Sequence, residues 1–239
     1  MTSRPAHLVL PRRRPRILAA ATPTRMRGSR SSPRAWISRI LDVVVASIVL
    51  LACAPLLALI GIAIAGTSRG GPVFRQVRVG RGQKPFVMYK FRTMYAGCDD
   101  RTHREFVRRV LLGSPPPVGV GGWCKQVDDP RVTRVGRLLR RCSMDELPQL
   151  VNVIRGDMAL VGPRPVLPWE AALMRPDHRA RFEVRPGMTG LWQVSGRSFL
   201  SMTEALELDL EYVRTRCLLV DIKILMRTVP AVLTCRGAA

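Results

Sequence analysis

The pattern of apolar and polar positions changes several times along the chain. Residues 1–39 show no apolar period: they carry ten arginines, no acidic residue, and prolines at 5, 11, 15, 23 and 33. Such a segment buries too little to fold alone. Residues 1–34 are therefore predicted to be a basic, disordered tail that meets an anionic surface. An arginine-rich, acid-poor transit peptide is the alternative. Residues 40–65, ILDVVVASIVLLACAPLLALIGIAIA, are then uncharged except for Asp42. As one helix, the stretch from Val43 would reach about 35 Å, enough for a bilayer core of roughly 30 Å.

Two readings of that run are open. The first is a straight spanning helix. The second is a hairpin over residues 35–67 that enters and leaves by the same face. Pro55 near the middle removes a backbone hydrogen bond and kinks or breaks a helix. Arg34 and Arg39 precede the run and Arg69, Arg75, Arg78 and Arg81 follow it, so both flanks are biased to the cytoplasmic side. A bend at Pro55 satisfies both observations. A secretory signal peptide fits poorly, because the run is too long and lacks a clear small-residue cleavage site.

The period shortens downstream. Residues 73–94 alternate apolar and basic around Gly80-Arg81-Gly82-Gln83, which predicts two short strands and a turn. Lys90 and Arg92 fall on one face of the second strand, either reaching a phosphate or simply solvated. A polar helix is predicted over 99–112 and a Pro/Gly-rich loop over 113–123. Arg131, Arg134, Arg137 and Arg141 recur every three or four residues, with Val135, Leu138 and Leu139 between them, as in an amphipathic helix with an arginine face. Residues 202–212 and 220–233 predict two more amphipathic helices. Together these elements describe an α+β chain, mainly α: on the second reading of the run a re-entrant membrane helix hairpin, then amphipathic interfacial helices and a small β-hairpin. Residues 68–239 then form one domain at the membrane interface.

Charge narrows the class of partner. The formal net charge is +22, and 39 residues are Lys or Arg. Only Lys84, Lys90, Lys125 and Lys223 are lysines, a bias that a G+C-rich genome or a phosphate-binding role would equally produce. Nucleic acid, an anionic membrane and phosphorylated substrates all suit such a chain. An aromatic content of 5% gives few stacking platforms for single strands. Six cysteines without a C-x-x-C pair suggest neither zinc nor a disulfide framework, and read as reduced thiols.

The candidate chemistry starts at residues 141–150, RCSMDELPQL. Proline belongs in the first turn of a helix, so Pro148 puts Asp145 and Glu146 at or just before a helix start. There they are either an acidic cap or two carboxylates with separate tasks: an ionised nucleophile toward phosphorus and a Mg²⁺ ligand. In VGPRP, residues 161–165, Arg164 is mounted between two prolines. In RPGMTGLWQVSGR, residues 185–197, Pro186, Gly187, Gly190 and Gly196 surround Gln193 and two arginines, giving either ordinary turns or close backbone approach to a ligand.

These motifs occur in order with PVFRQVRVGRGQKPFVMYKFRTM, DDPRVTRVGRLLRRCSMDELPQLVNVIRGDMALVGPRPVLP and LDLEYVRTRCLLVDIKILMRTVPAVL. Over about residues 36–233 the chain resembles the bacterial sugar transferases, the polyprenyl-phosphate hexose-1-phosphate transferases. The resemblance implies that Asp145 is the nucleophile, that Glu146 helps bind Mg²⁺ and that Arg164 binds phosphate. Lys90, Arg92, Arg141, Arg185, Gln193 and Arg197 complete the candidate phosphate- and substrate-binding set, and Pro55 marks the membrane hairpin, preceded by Ala54 where the family often has Ser. It further implies transfer of a sugar-1-phosphate from a nucleotide diphosphate sugar to a polyprenyl (undecaprenyl) phosphate, with UMP released. The expected place is the cytoplasmic face of the bacterial inner membrane, in a minimal, monotopic form. The expected partners are these two substrates and membrane lipid, and not nucleic acid. The product would prime exopolysaccharide, capsule, O-antigen or glycoprotein glycan assembly. A nucleic-acid binder would explain the charge but not the apolar run. A non-catalytic membrane scaffold would explain the run but leave the ordered arginine and carboxylate motifs without a task.

Overall fold

The apolar run folds as two helices. A computed structural model of the chain describes residues 33–67, 70–98, 101–112, 129–196 and 200–233. The basic tail up to residue 32, the loop at 113–123 and Arg197 lie outside them. Helices α1 (Pro33–Ala52) and α2 (Ala54–Thr67) meet at Cys53, with a 62° bend between Trp36–Ala52 and Ala54–Thr67. Pro55 lies in the first turn of α2, where its missing N–H is not needed. No single helix among the described residues is long and apolar enough to cross a membrane, whereas the bent pair together passes on length and composition.

One side of α1 is tied to the rest of the protein. Ala46 is fully buried, and Leu160 N donates to Asp42 Oδ1 at 3.1 Å, which gives the one acidic group of the run a partner. The other side leaves Ile37, Ile40, Val44, Ile48 and Leu51 exposed, continued on α2 by Leu59 and Ile62. An apolar surface of this extent marks a membrane or protein contact.

The predicted hairpin is present: β1 (Val73–Val79) pairs antiparallel with β2 (Pro85–Phe91), in a register that sets Phe74 opposite Lys90 and Val79 opposite Pro85. Helix α3 (Arg101–Leu111) follows. Helix α4 (Arg134–Arg141) is capped by Thr133, whose hydroxyl accepts from Gly136 N at 2.9 Å. It sits tightly on the end of β2. A Cβ on Gly136 would lie 2.1 Å from Thr93 O, so only glycine fits there. A 3-10 turn at Met144–Glu146 leads into α5 (Gln149–Arg155).

Beyond α5 come β3 (Ala159–Val161), α6 (Pro168–Leu173), a 3-10 segment at Pro176–Glu183 and β4 (Gly187–Thr189), which pairs parallel with β3. Then follow α7 (Leu191–Ser195), α8 (Met202–Thr215) and α9 (Leu218–Leu233). The glycine-containing stretch at 185–197, read from sequence as either ordinary turns or close backbone approach to a ligand, contains β4 and α7. The main core joins Ala46 of α1, Met88 of β2, Leu150 and Val153 of α5, Tyr212 of α8 and Ile224 of α9. A further cluster packs Ile60 and Ile64 of α2 on Phe91 and Leu139. The bent helix pair is therefore part of the fold and not an appended anchor.

Candidate active site

The carboxylate pair is presented by a strained turn. α4 ends at Arg141, and Ser143 then takes φ 55° and ψ 20°, the left-handed region that usually selects glycine or asparagine. This reversal delivers Met144, Asp145 and Glu146 on one 3-10 turn. Neither that turn nor α5 has a side-chain cap hydrogen bond; the α5 cap is Pro148 itself. Asp145 is therefore not capping this helix.

The two carboxylates lie in different surroundings. Glu146 Oε1 accepts from Arg164 Nη1 at 3.0 Å. Their side chains remain 24% and 35% exposed, so a ligand has access to the pair. Arg164 is raised from the ordinary arginine value, chiefly by the Glu146 charge. Asp145 makes no hydrogen bond or ion pair with any described residue. Burial pushes its carboxyl up to about 6 and the Glu146 charge adds to this, while Lys90, Arg140 and Arg164 pull the other way. It is ionised at neutral pH and poorly solvated, which is the condition of a reactive oxygen nucleophile.

Strand β2 faces the turn because of one asparagine. Asn152 of α5 is fully buried; its Nδ2 donates to Val87 O at 2.7 Å and its Oδ1 accepts from Tyr89 N at 3.0 Å. These bonds hold the strand that carries Lys90 against the helix that follows the carboxylates. Lys90 lies with Nζ 5.5 Å from the centre of the Phe74 ring, a cation–π contact. Burial pushes its ammonium down to about 8, Arg78 adds to this, and the Asp145 charge opposes it.

Other sequence candidates fall elsewhere. Arg92 also lies over the Phe74 ring, but its guanidinium donates to Gly71 O at 2.9 Å and Gly70 O at 2.7 Å, bracing the entry to β1. Arg141 is exposed at the end of α4. Arg185 is grouped electrostatically with Arg39, Asp42, Arg81 and Arg216, not with the carboxylate pair. Gln193 of α7 donates to Met188 O of β4 at 3.1 Å.

Two arginines missing from the sequence set join the pair instead. Arg140 donates to Thr93 Oγ1 at 2.9 Å and lies within electrostatic reach of Asp145. Arg78, pushed down to about 10 by burial, interacts with Glu170, Arg164 and Glu146. Both were findable. Arg140 adjoins the Gly136/Leu139 face of α4, away from the exposed arginine stripe. Arg78 shares with Phe74 the strand face that also presents Lys90.

Among the described residues no group of three or more His, Cys, Asp or Glu could hold a metal by itself. Mg²⁺ asks for less, since one or two carboxylates with substrate phosphates and water suffice. The all-oxygen pair, with Asp145 not hydrogen-bonded among the described residues, fits that demand. Cations clustered around two carboxylates, part-exposed and on rigid mounts, are what phosphoryl-group chemistry uses.

Sequence comparison gives this geometry a lineage. A family model described as bacterial sugar transferase matches residues 33–235. The chain belongs to that family. This sugar transferase is 42% identical over 206 residues to the exopolysaccharide production protein ExoY of Sinorhizobium fredii, covering 84% of the present chain and 87% of that protein. It is 43% identical over 212 residues to a UDP-glucose:undecaprenyl-phosphate glucose-1-phosphate transferase of Caulobacter vibrioides, covering 84% and 71% of the two chains. It is 39% identical over 207 residues to an undecaprenyl-phosphate galactose phosphotransferase of Salmonella typhimurium, covering 85% of the sugar transferase and 42% of that longer protein.

Proposed function

We propose that this sugar transferase moves a sugar-1-phosphate from a nucleotide diphosphate sugar, a UDP-sugar, to an undecaprenyl-type polyprenyl phosphate in two steps. In the first, an Asp145 carboxylate oxygen attacks the sugar-linked phosphorus. The O–P bond to the nucleotide breaks, its electron pair leaves with UMP, and the sugar phosphate is held as an acyl phosphate on Asp145. In the second, a phosphate oxygen of the polyprenyl carrier attacks the same phosphorus and frees Asp145. The product is a polyprenyl diphosphate sugar, the starting unit of an exopolysaccharide or a related glycan.

Asp145 carries the reading: an unpartnered carboxylate, raised to about 6, with cations around it and a second carboxylate beside it. Arg164, stiffened by Pro163 and Pro165, would meet the transferring phosphate, while Lys90 and Arg140, whose charges act on Asp145, would balance its charge. The carrier needs no general base, because a phosphate monoester is largely dianionic above about pH 6. Mg²⁺, with Glu146 and the diphosphate oxygens as its ligands, would supply charge neutralisation for the leaving phosphate. The bent α1–α2 pair, entering and leaving by the cytoplasmic face of the inner membrane, would bring the soluble donor and the lipid acceptor to one surface.

The test uses purified chain in lipid, polyprenyl phosphate and a panel of labelled UDP-sugars. One donor should release UMP and pass its label into an organic-soluble product. Without acceptor, label should remain on the protein and be discharged by hydroxylamine, as acyl phosphates are. Absence of UMP release with every nucleotide sugar would end the proposal.

A further inference from the structure

The Pro163-Arg164-Pro165 segment is held almost wholly through its carbonyls. Pro163 O accepts from Gly187 N at 2.9 Å, Arg164 O from Arg181 Nη2 at 2.7 Å, Pro165 O from Arg78 Nη1 at 3.2 Å, and Val166 O bonds Val79 N at 2.9 Å. Two prolines leave little choice, since they have no N–H to give. The peptide planes on either side of Arg164 are thus set by what their oxygens accept. Gly187 fixes one plane, and Arg181 fixes the other.

Arg181 comes from the 3-10 segment at Pro176–Glu183 and is 3% exposed. Its Nη2 has two hydrogens: one serves Arg164 O, and the other meets Asp209 Oδ2 of α8 at 2.6 Å. Asp209 is 2% exposed. Arg181 Nη1 faces Met174 Sδ at 3.8 Å, while Arg181 Nε and Asp209 Oδ1 are buried without a partner among the described residues. Apolar residues of similar volume often replace such an ion pair at no loss of stability, because desolvating two charges offsets their attraction. Fold stability alone therefore gives a weak reason for burying a charged pair with two polar atoms unmatched.

We propose that Arg181 and Asp209 are positioning residues for Arg164: the buried pair fixes the Arg164 carbonyl and so the direction in which its guanidinium faces Glu146 and the transferring phosphate. Asp209 supplies the counter-charge that keeps the Arg181 guanidinium in the interior. Arg181 carries that constraint to the Arg164 carbonyl, which, like that of Pro165, is served by a side-chain donor and not by backbone. The phosphate part of this role rests on the proposed function; the mechanical part does not.

The experiment compares wild type with the double variant Arg181→Met/Asp209→Leu in full-length chain in lipid. It measures the thermal midpoint, turnover, and hydrogen exchange of the peptide spanning residues 159–167. The expected result is a midpoint close to wild type, exchange in that peptide faster by about tenfold or more, and turnover lower by about ten- to a hundredfold, the usual scale for a slightly misplaced group. Arg181→Lys, whose ammonium can still donate to both oxygens, should recover most of the turnover. A folded double variant with wild-type turnover and exchange overturns the proposal. If the double variant does not fold, Asp209→Asn, which keeps the shape, carries the same two readouts: a fall in turnover with faster exchange supports the role, and wild-type values reject it. If wild type itself transfers no sugar phosphate, the functional reading fails, and exchange at residues 159–167 still decides whether Arg181 holds the segment.

Discussion

Asp145→Asn separates the nucleophile from a structural carboxylate, and it does so through two effects of opposite sign. Asparagine keeps the shape and an oxygen but cannot ionise. If Asp145 attacks phosphorus, UMP release should fall by orders of magnitude. The same change should make the protein more stable. Folding raises the Asp145 pKa from 3.8 to about 6, chiefly by burial, so the folded state disfavours the ionised form. For a raised acid, that contribution to stability is fully present below the unfolded value and is lost as pH rises through the folded one. At neutral pH the ionised carboxylate therefore weighs against the fold.

The size follows from the shift. About two pKa units at 1.36 kcal/mol each give a ceiling of about 3 kcal/mol, and sharing of the effect with Glu146 brings the expected gain to about 1–3 kcal/mol. For a chain of this length that is a rise in Tm of about 2–10 °C. Thermal unfolding in detergent at a series of pH values provides the assay. The variant's advantage should be full at pH 7.5, shrink as pH falls from about 6 to 4, and vanish below about pH 3, where the wild-type carboxyl is protonated in both states. An Asp145→Asn enzyme that turns over normally refutes the nucleophile. One that is dead but no more stable at pH 7.5 refutes the desolvated carboxylate.

The pH dependence of kcat/KM should be a bell, with an acid limb near 6 from Asp145 and an alkaline limb near 8 from Lys90; Lys90→Arg should abolish only the alkaline limb, and its persistence would remove Lys90 from the site. Arg140→Ala should lower kcat/KM by about ten- to a hundredfold, whereas Arg141→Ala, one residue on but exposed, should stay within about twofold; equal effects in steady-state assays would contradict the placement of Arg140. Pro55→Leu should straighten the α1–α2 bend, so that a tag ahead of α1 becomes reachable from the periplasm in a fraction of molecules; a tag that stays wholly cytoplasmic would show that the bend does not depend on the proline.

Features written in neighbouring residues were legible in the sequence. The bend needs only Pro55 inside an apolar run, and the β1–β2 hairpin needs only alternation around Gly80 and Gly82. The β3–β4 pair was not legible. Three-residue strands carry no usable period, and their pairing rests on a close approach in which a Cβ on Gly187 would lie 2.1 Å from Gly162 N. Arg140 and Arg141 are neighbours in sequence, yet only the first turns toward Asp145, because Gly136 lets that face of α4 settle on Thr93. The link from Asp209 through Arg181 to Arg164 joins three separate elements, and no local pattern encodes it.

One short helix explains how the bent pair and the carboxylates are held in register. Arg39 of α1 donates from Nη1 to Val153 O at 2.6 Å and from Nη2 to Ile154 O at 2.8 Å, serving carbonyls in the last turn of α5. A cation at that end also suits the helix dipole. The turn bearing Asp145 and Glu146 leads directly into the other end of α5. Seven residues at 1.5 Å each make that span about 10 Å. A displacement of α1 must therefore either break two charge-assisted hydrogen bonds or carry α5 with it, and Asn152 would then drag β2 and Lys90 as well. If lipid seats the bent pair, the same rigid chain of contacts sets how far the carboxylates stand from the membrane surface, and a lipid-borne phosphate can then be met without a mobile arm.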